Sequence, residues 1–197
     1  MTLILASRSS ARRQMLQAAG VEVSLDPADL DEGAFKGRLL SEGATAAAVA
    51  EALAGQKALT VSSRRPGALV LGSDQTLELD GTLYDKAASL DEARARLGQF
   101  SGRTHRLHSG AALACDGQLV WSVCDTAELT VRSLSRTYID AYVATNAEAA
   151  LSAVGGYWLE GEGVQLFERI EGDYFTILGL PLLPLLAELR GRGVMVS

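Results

Sequence analysis

Cysteine is scarce in this 197-residue chain, which contains two, Cys115 and Cys124. Both fall on a predicted hairpin that turns at Asp116-Gly117, a dipeptide typical of two-residue hairpin loops. In that register the two cysteines are not opposite one another, so the strand ladder keeps them too far apart for a disulfide bond. Unpaired thiols are typical of a reducing compartment, and the sequence therefore predicts a cytoplasmic protein without a disulfide scaffold.

Long apolar runs are also missing. The longest, residues 177–189, is interrupted by Pro181 and Pro184 and has the length of a buried core segment rather than a membrane span. The apolar run at residues 2–6 is short and follows no basic stretch, so we expect neither a secretory signal nor a membrane partner. A hydrophobic fraction of 48% and a charged fraction of 21% are ordinary for globular proteins and exclude a disordered or fibrous chain.

An excess of positive charge is absent, because 18 Lys and Arg face 24 Asp and Glu and give a net charge of −6. Non-specific duplex binding depends on neutralising phosphates with basic side chains, so we expect no nucleic-acid partner, although a locally basic pocket could still hold one small anion. The sequence has no CxxC, HExxH, P-loop or GxSxG motif. His105 and His108 fall on opposite faces of a predicted strand and cannot share a metal ion.

What the sequence does contain is an alternation of strand and helix patterns, followed by hairpins. Helices are predicted at residues 11–19, 44–61 and 181–190, and two more follow the capping residues Ser89 and Ser135. Strands are predicted at residues 2–6, 21–25, 68–71, 105–114, 118–131, 155–167 and 169–178, and residues 26–36 are predicted to be a loop. This order predicts an α/β fold, a mixed sheet with helices packed on it, in one large domain or two small lobes.

The first candidate site is the junction between the first strand and the first helix. It contains Ser7, Ser9, Arg12 and Arg13, with Ser9 as the predicted N-cap. Helix N-termini attract anions, but arginines in a first turn work against the helix dipole. A bound polyphosphate would explain them, because guanidinium groups pair with phosphate oxygens. The alternative is a serine-capped helix with two solvated arginines.

Two further candidates are Lys57 and Asp74. Lys57 is the one charge on an apolar helical stripe, so it either reaches past the stripe to water or points into a cleft. Asp74 follows the predicted strand at residues 68–71, where the carboxyl ends of strands bind ligands in α/β sheets. A carboxylate there could hold a divalent metal or act as a general base, and the alternative is a turn residue that ends the strand.

The remaining candidates are three charged positions in predicted loops or strands. The acidic pair Asp31-Glu32 and the turn residue Lys86 could equally be solvated surface groups. Glu160 lies in the GYWLEG run at residues 156–161, beside two aromatic residues. A carboxylate accepts two hydrogen bonds from the edge of guanine, and an aromatic face could stack on the base. The alternative is an ordinary outward-facing strand residue.

Together these segments resemble the Maf family of nucleoside triphosphate pyrophosphatases over nearly the whole chain. The matching segments, in the family's order and spacing, are LASRSSARRQML at residues 5–16, Asp31-Glu32, Gln56-Lys57, Ser73-Asp74-Gln75, Asp85-Lys86-Ala87, Glu160-Gly161 and GLPL at residues 179–182. The chain departs from the pattern at Ser10 and Ala87, where the family has proline, and at residues 152–155, where SAVG replaces a lysine-containing run.

The resemblance implies an elongated mixed β-sheet flanked by helices, similar to inosine triphosphate pyrophosphatase, in one domain over residues 1–197 with two lobes around a central cleft. It implies hydrolysis of a nucleoside triphosphate to a monophosphate and pyrophosphate, with Mg²⁺ or Mn²⁺, and a possible homodimer. The roles it implies are metal binding by Glu32 and Asp74, catalysis by Asp74, Lys57 and Lys86, and substrate binding by Ser7, Ser9, Arg12, Arg13, Gln75 and Glu160.

The resemblance also implies a branch of the family. Ser73-Asp74-Gln75, Glu160 and the LFERIEG run at residues 166–172 are similar to the branch that acts on 7-methyl-GTP. A methylated guanine carries positive charge, which favours an aromatic face and a carboxylate. The alternatives are the dTTP and UTP activity of the other branch, and a non-enzymatic role in septum inhibition.

Overall fold

The computed structural model describes residues 3–196, which form seven strands and eight α-helices. The strands are β1 (Leu3–Leu5), β2 (Ser24–Leu25), β3 (Leu69–Leu79), β4 (Thr82–Tyr84), β5 (Thr104–Cys115), β6 (Gln118–Val131) and β7 (Phe167–Glu171). The helices are α1 (Ser10–Ala18), α2 (Glu32–Ser41), α3 (Ala46–Ser62), α4 (Leu90–Phe100), α5 (Arg136–Thr145), α6 (Ala147–Ser152), α7 (Tyr174–Ile177) and α8 (Leu182–Gly191). A 3₁₀ helix covers Glu162–Leu166.

The strands form one mixed sheet with the order β2-β1-β3-β5-β6-β7, and β4 pairs with β3. β1 runs parallel to both β2 and β3, whereas β4 and β7 are antiparallel to β3 and β6. The predicted mixed sheet with flanking helices is therefore confirmed.

The chain divides into two compact units. Unit 1 comprises the described residues of Met1–Gln75, His108–Asp125 and Asp173–Ser197, and unit 2 comprises Thr76–Leu107 and Thr126–Gly172. In unit 1, β1 and the first half of β3 are buried on both faces, as parallel strands usually are. Leu5 and Leu71 pack with α1 and α8 on one face, and Ile4 and Val70 pack with α3 on the other. In unit 2, α4 packs against α5 and α6.

Local signals place several elements where the sequence predicts them. The Ser9 side chain caps α1 by accepting a hydrogen bond from the Arg12 backbone N–H, at 3.3 Å. Ser89 caps α4 in the same way through the Glu92 N–H. The turns at Asp80-Gly81 and Asp116-Gly117 both have positive φ at their two residues, as a type I′ hairpin turn requires. These predictions are confirmed because each depends on interactions within a few residues.

Four predicted segments differ in the structure. Residues 32–36 are helical rather than a loop, because the Asp31 carboxylate caps α2 at the Ala34 N–H. The second strand is reduced to Ser24–Leu25. The strand predicted at residues 155–167 is replaced by turns and the 3₁₀ helix. The strand predicted at residues 169–178 ends at Glu171, after which Asp173 caps α7 through the Thr176 N–H.

The sequence predicts neither a disulfide nor a membrane span, and both expectations can be compared with the structure over residues 3–196. Both cysteines are free thiols, so no disulfide occurs within residues 3–196. Over the same residues, no helix has the length and apolar character needed to cross a bilayer.

Candidate active site

Asp74 lies inside a strand rather than after one. β3 continues from Leu69 to Leu79, so the prediction that the strand ends before Asp74 is wrong. The strand continues for five residues beyond Asp74, and the last three of these pair with β4. The Asp74 carboxylate is therefore held on regular, extended backbone, and its side chain is 13% exposed.

Lys57 provides the partner of this carboxylate. Its Nζ atom donates a hydrogen bond to Asp74 Oδ1 at 2.6 Å and lies 3.0 Å from Glu32 Oε1. The Lys57 side chain is 9% exposed, whereas that of Glu32 is 52% exposed. Of the two interpretations of Lys57, the structure supports the inward-pointing one, since its ammonium is buried between two carboxylates. Asp74, Lys57 and Glu32 form a cluster that we call the acid–lysine cluster.

A close helix–strand contact brings Lys57 to Asp74. A Cβ atom on Gly72 would lie 2.7 Å from the Ala58 backbone nitrogen, and one on Gly110 would lie 2.8 Å from the Glu51 Cα. These distances are too short for real side chains, so both positions require glycine. Together with Ala54 on the facing side of α3, they let the helix backbone rest directly on the sheet. Lys57 then reaches Asp74 with its long side chain.

Arg12 is surrounded by protein acceptors. Its Nε donates to the Gly179 carbonyl at 2.8 Å, and its Nη1 donates to the Ser73 carbonyl at 2.9 Å and to Ser7 Oγ at 3.2 Å. Burial lowers the pKa of the Arg12 guanidinium, and the charges of Asp74 and Glu32 oppose that shift. Arg12 therefore lies in the electrostatic field of the acid–lysine cluster.

The other predicted residues of this strand–helix junction differ in accessibility. Ser7 is buried and also accepts a hydrogen bond from the Ser9 backbone N–H, at 3.2 Å. Ser9 is committed to capping α1. Arg13, in the first turn of α1, has an exposed side chain. Arg13 is thus the more exposed of the two arginines, since Arg12 is half-buried.

Gln75 is engaged with a distant segment of unit 1. Its Nε2 lies within hydrogen-bond distance of Ser109 Oγ (3.0 Å) and of the carbonyls of Thr176 (3.2 Å) and Ile177 (3.0 Å). Ser109 Oγ also donates to the Thr176 carbonyl, at 2.7 Å. Sequence analysis missed Ser109 and Thr176, since neither belongs to a motif. Their separation from Gln75 along the chain left no local signal.

Lys86 belongs to unit 2, in the segment between β4 and α4, and its side chain is exposed. The backbone on both sides of it is fixed. Arg96, which is buried, donates to the Asp85 carbonyl and, at 3.2 Å, to the Val154 carbonyl. The Ala88 N–H donates to the Glu92 carboxylate at 2.8 Å. This segment is therefore held by hydrogen bonds, although Ala87 lacks the rigid ring of a proline.

Glu160 also belongs to unit 2, in an exposed turn rather than a strand. The same segment contains Tyr157, which is buried, and Trp158, which is 40% exposed. The Tyr157 hydroxyl lies 2.6 Å from His105 Nε2, and both rings pack beside Phe167. Burial lowers the pKa of His105 to about 4. Tyr157 thus anchors the segment to the core of unit 2.

A divalent metal fits two of these residues. Among residues 3–196 there is no group of three or more His, Cys, Asp or Glu side chains that could hold a metal ion. Glu32 and Asp74 nevertheless converge on Lys57 through one oxygen each, which leaves each carboxylate a second oxygen. Mg²⁺ is commonly held by one or two carboxylates, with substrate phosphates and water completing its shell. The carboxylates of Glu32 and Asp74 therefore fit a divalent cation whose remaining ligands are substrate phosphates and water.

Comparison with known proteins identifies one matching family and several similar chains. A family model described as Maf-like protein matches residues 2–192. A nucleoside triphosphate pyrophosphatase from Caulobacter vibrioides is 53% identical over 191 residues, which are 97% of this chain and 96% of that protein. A 7-methyl-GTP pyrophosphatase from Mesorhizobium japonicum is 51% identical, with 98% and 97% covered. A solved dITP/XTP pyrophosphatase structure from Mycobacterium abscessus has a TM-score of 0.46 at 16% identity, with 98% and 96% covered.

Proposed function

This chain belongs to the Maf-like protein family, and from that premise we propose that it is a nucleoside triphosphate pyrophosphatase with 7-methyl-GTP as its preferred substrate. The reaction adds one water across the bond between the α- and β-phosphates and releases a nucleoside monophosphate and pyrophosphate. Relatives that are 53% and 51% identical, named nucleoside triphosphate pyrophosphatase and 7-methyl-GTP pyrophosphatase, support the proposal.

The acid–lysine cluster is the observation that carries the proposal. Asp74 is nearly buried and fixed on a strand, and Lys57 holds it at 2.6 Å. A carboxylate in this position can orient the attacking water and accept its proton. The Lys57 ammonium holds the Asp74 carboxylate in place and offsets negative charge on the phosphates. A divalent cation at Glu32 and Asp74, Mg²⁺ or Mn²⁺, would supply charge neutralisation and lower the pKa of water.

Phosphate binding is assigned to two exposed cations, Arg13 and Lys86. Arg13 presents a solvent-facing guanidinium in the first turn of α1, where the helix N-terminus already favours anions. Ser7 and Ser9 support this site by organising the start of α1, through hydrogen bonds from the backbone N–H groups of Ser9 and Arg12. Lys86 is proposed as a further phosphate ligand, and its hydrogen-bonded backbone supports a defined position.

Base recognition is assigned to Glu160. Its exposed carboxylate accepts hydrogen bonds from the N–H groups of a guanine edge, and the charge of 7-methylguanine strengthens that attraction. The Tyr157–His105 contact supports this role, because it fixes the backbone three residues before Glu160. We also infer a cytoplasmic location from the two free thiols. A homodimer stays a prediction of the family resemblance.

The test is pyrophosphate release by the purified full chain, measured with Mg²⁺ and with Mn²⁺ against dTTP, UTP, CTP, GTP and 7-methyl-GTP. Fast release from 7-methyl-GTP alone supports the proposal in full. Preference for dTTP or UTP keeps the pyrophosphatase activity and overturns the choice of base. Nucleotide binding without release from any of the five overturns the enzymatic proposal and favours a regulatory role.

A further inference from the structure

Two of the three guanidinium nitrogens of Arg12 donate hydrogen bonds to the protein. Nε and Nη1 donate to the carbonyls of Gly179 and Ser73 and to the Ser7 hydroxyl. The third nitrogen, Nη2, faces Gly179, since a Cβ atom there would lie 3.4 Å from it. An arginine that binds a phosphate presents two parallel N–H groups to it. In Arg12, each pair of neighbouring nitrogens includes Nε or Nη1, and both of these already donate to the protein.

The acceptors of Arg12 connect two segments at the acid–lysine cluster. One is the Ser73 carbonyl, which belongs to the peptide bond that leads into Asp74. The other is the Gly179 carbonyl, which also accepts a hydrogen bond from Ser73 Oγ at 3.0 Å. The Gly179 oxygen therefore accepts two hydrogen bonds, one from Arg12 and one from the residue that precedes Asp74. Arg12 and Ser73 together fasten the Gly179 turn to the strand position that precedes the carboxylate.

Gly179 has a backbone conformation suited to this contact. Its φ of +98° lies in a region that favours glycine, and it turns the chain between α7 and α8. Gln75 holds the preceding residues through the Thr176 and Ile177 carbonyls. Asp74 is thus flanked along β3 by two residues, Ser73 and Gln75, whose side chains both attach to the segment at residues 176–179.

We propose that Arg12 is a positioning residue that fixes Asp74 through Ser73 and Gly179, and that it is not a ligand of the triphosphate. Phosphate binding at this end of α1 then depends on Arg13. Of the effects expected for Arg12 variants, only the effect on turnover rests on the proposed function. The attachment of the Gly179 turn is a property of the free protein and is measured without substrate.

The test compares Arg12→Lys with Arg13→Lys and Arg13→Ala in the full chain. Lysine keeps the positive charge but cannot supply the fork of donors that reaches Gly179, Ser73 and Ser7. The first measurement is hydrogen exchange at the Gly179 and Leu180 amides, which donate to Thr176 and Phe175 at 3.0 and 3.1 Å. The second is binding of inorganic triphosphate by calorimetry. The third is kcat and KM for 7-methyl-GTP.

For Arg12→Lys we expect exchange at Gly179 and Leu180 to accelerate about tenfold or more, because one hydrogen-bonded attachment is lost. Triphosphate affinity should change less than about threefold, since the charge is retained. The kcat should fall about 10- to 100-fold with little change in KM, as expected for a displaced catalytic group. For Arg13→Ala we expect unchanged exchange and about tenfold weaker triphosphate binding.

Ser73→Ala is the second variant, and it removes one of the two donors to the Gly179 carbonyl while leaving Arg12 intact. Hydrogen exchange at the Gly179 and Leu180 amides should accelerate in this variant, but less than in Arg12→Lys. The proposal is overturned if Arg12→Lys leaves exchange unchanged, or if it weakens triphosphate binding as much as Arg13→Ala does. If the wild-type chain releases no pyrophosphate from any nucleotide, the proposed function fails, and the exchange comparison still decides the role of Arg12.

Discussion

Gly72 packs against Ala58 so closely that a Cβ on the glycine would lie 2.7 Å from the Ala58 backbone nitrogen. We therefore expect Gly72→Ala to push α3 away from β3 and to lower the free energy of unfolding by about 2–3 kcal/mol, as overpacking does. Gly55→Ala, which lies in α3 itself, is the matched control. Its Cβ would make an ordinary contact 3.7 Å from Leu119 Cδ1, so we expect a gain of about 0.5–1 kcal/mol. Urea unfolding measures both, and equal effects would contradict the close-contact argument.

Removing the Asp74 carboxylate should abolish turnover without unfolding the chain. Asp74→Asn keeps the size of the side chain but cannot accept a proton from water, and we expect kcat to fall by about 10²–10⁴-fold. Pyrophosphate release on 7-methyl-GTP is the measurement, with circular dichroism to verify folding. Asp29→Asn, which changes an exposed carboxylate elsewhere in unit 1, should retain full activity. Near-normal turnover of Asp74→Asn would refute the assignment.

Lys57 should matter for stability as well as for activity. Lys57→Met removes the ammonium and leaves a nearly buried Asp74 carboxylate without its cation, which we expect to cost about 3 kcal/mol. Glu32→Gln should cost less than about 1 kcal/mol, because the Glu32 side chain is half exposed. A double-mutant cycle with Asp74→Asn measures the pairing directly. Independent, additive effects of Lys57→Met and Asp74→Asn would show that the pair contributes nothing.

Acid should destabilise the protein through His105. Burial lowers its folded-state pKa to about 4, while the unfolded value is near the ordinary 6.5. Between these values the unfolded chain takes up a proton that the folded chain does not. The contribution of His105 is therefore fully present above pH 6.5 and is lost as pH falls towards 4, by up to about 3 kcal/mol.

Unfolding measured between pH 7 and pH 4.5 tests this expectation. His105→Phe should show a shallower loss of stability over that interval than the wild-type chain. Tyr157→Phe, which removes the hydroxyl facing His105 and leaves the histidine in place, should retain most of the pH dependence. The same slope in the wild-type and His105→Phe proteins would assign the acid sensitivity to other groups.

Glu160→Gln should change the choice of base more than the rate of hydrolysis. The amide presents one acceptor in place of two and lacks the charge that attracts 7-methylguanine, so we expect the preference for 7-methyl-GTP over UTP to fall about tenfold or more. Ratios of kcat/KM for the two nucleotides are the measurement. Glu168→Gln, an exposed position on β7, should leave the ratio unchanged. An unaltered ratio in Glu160→Gln removes the base-reading role.

Local chemistry accounts for the parts of the fold that the sequence predicts well. Ser9, Ser89 and the two Asp-Gly turns act within a few residues, so their patterns specify caps and hairpins directly. The extension of β3 to Leu79 was not predictable in this way. Its second half is a strand because it pairs with β4, and that pairing depends on a partner outside the strand's own sequence.

In the candidate site, too, local patterns identify residues, whereas long-range contacts determine where their side chains point. Lys57, Asp74 and Glu32 were identified from the sequence, but the direction of Lys57 depends on how closely α3 approaches the sheet. That distance is set by glycines on other elements. Arg12 and Arg13 were both predicted to bind phosphate, because arginines in a first helical turn oppose the helix dipole unless an anion is bound there. The hydrogen bond from Arg12 to Gly179 joins residues that no local pattern relates.

The contact between Arg12 and Gly179 spans 167 residues of chain, and that between Ser73 and Gly179 spans 106. During synthesis, the N-terminal strand and helix emerge long before their acceptor exists. A ribosome-bound chain that stops short of residue 179 therefore lacks the attachment that fixes Asp74. The nascent protein should therefore position nucleotides poorly for hydrolysis until the segment around residue 179 has been translated. Truncated products that end before Gly179 should bind nucleotides but hydrolyse them slowly.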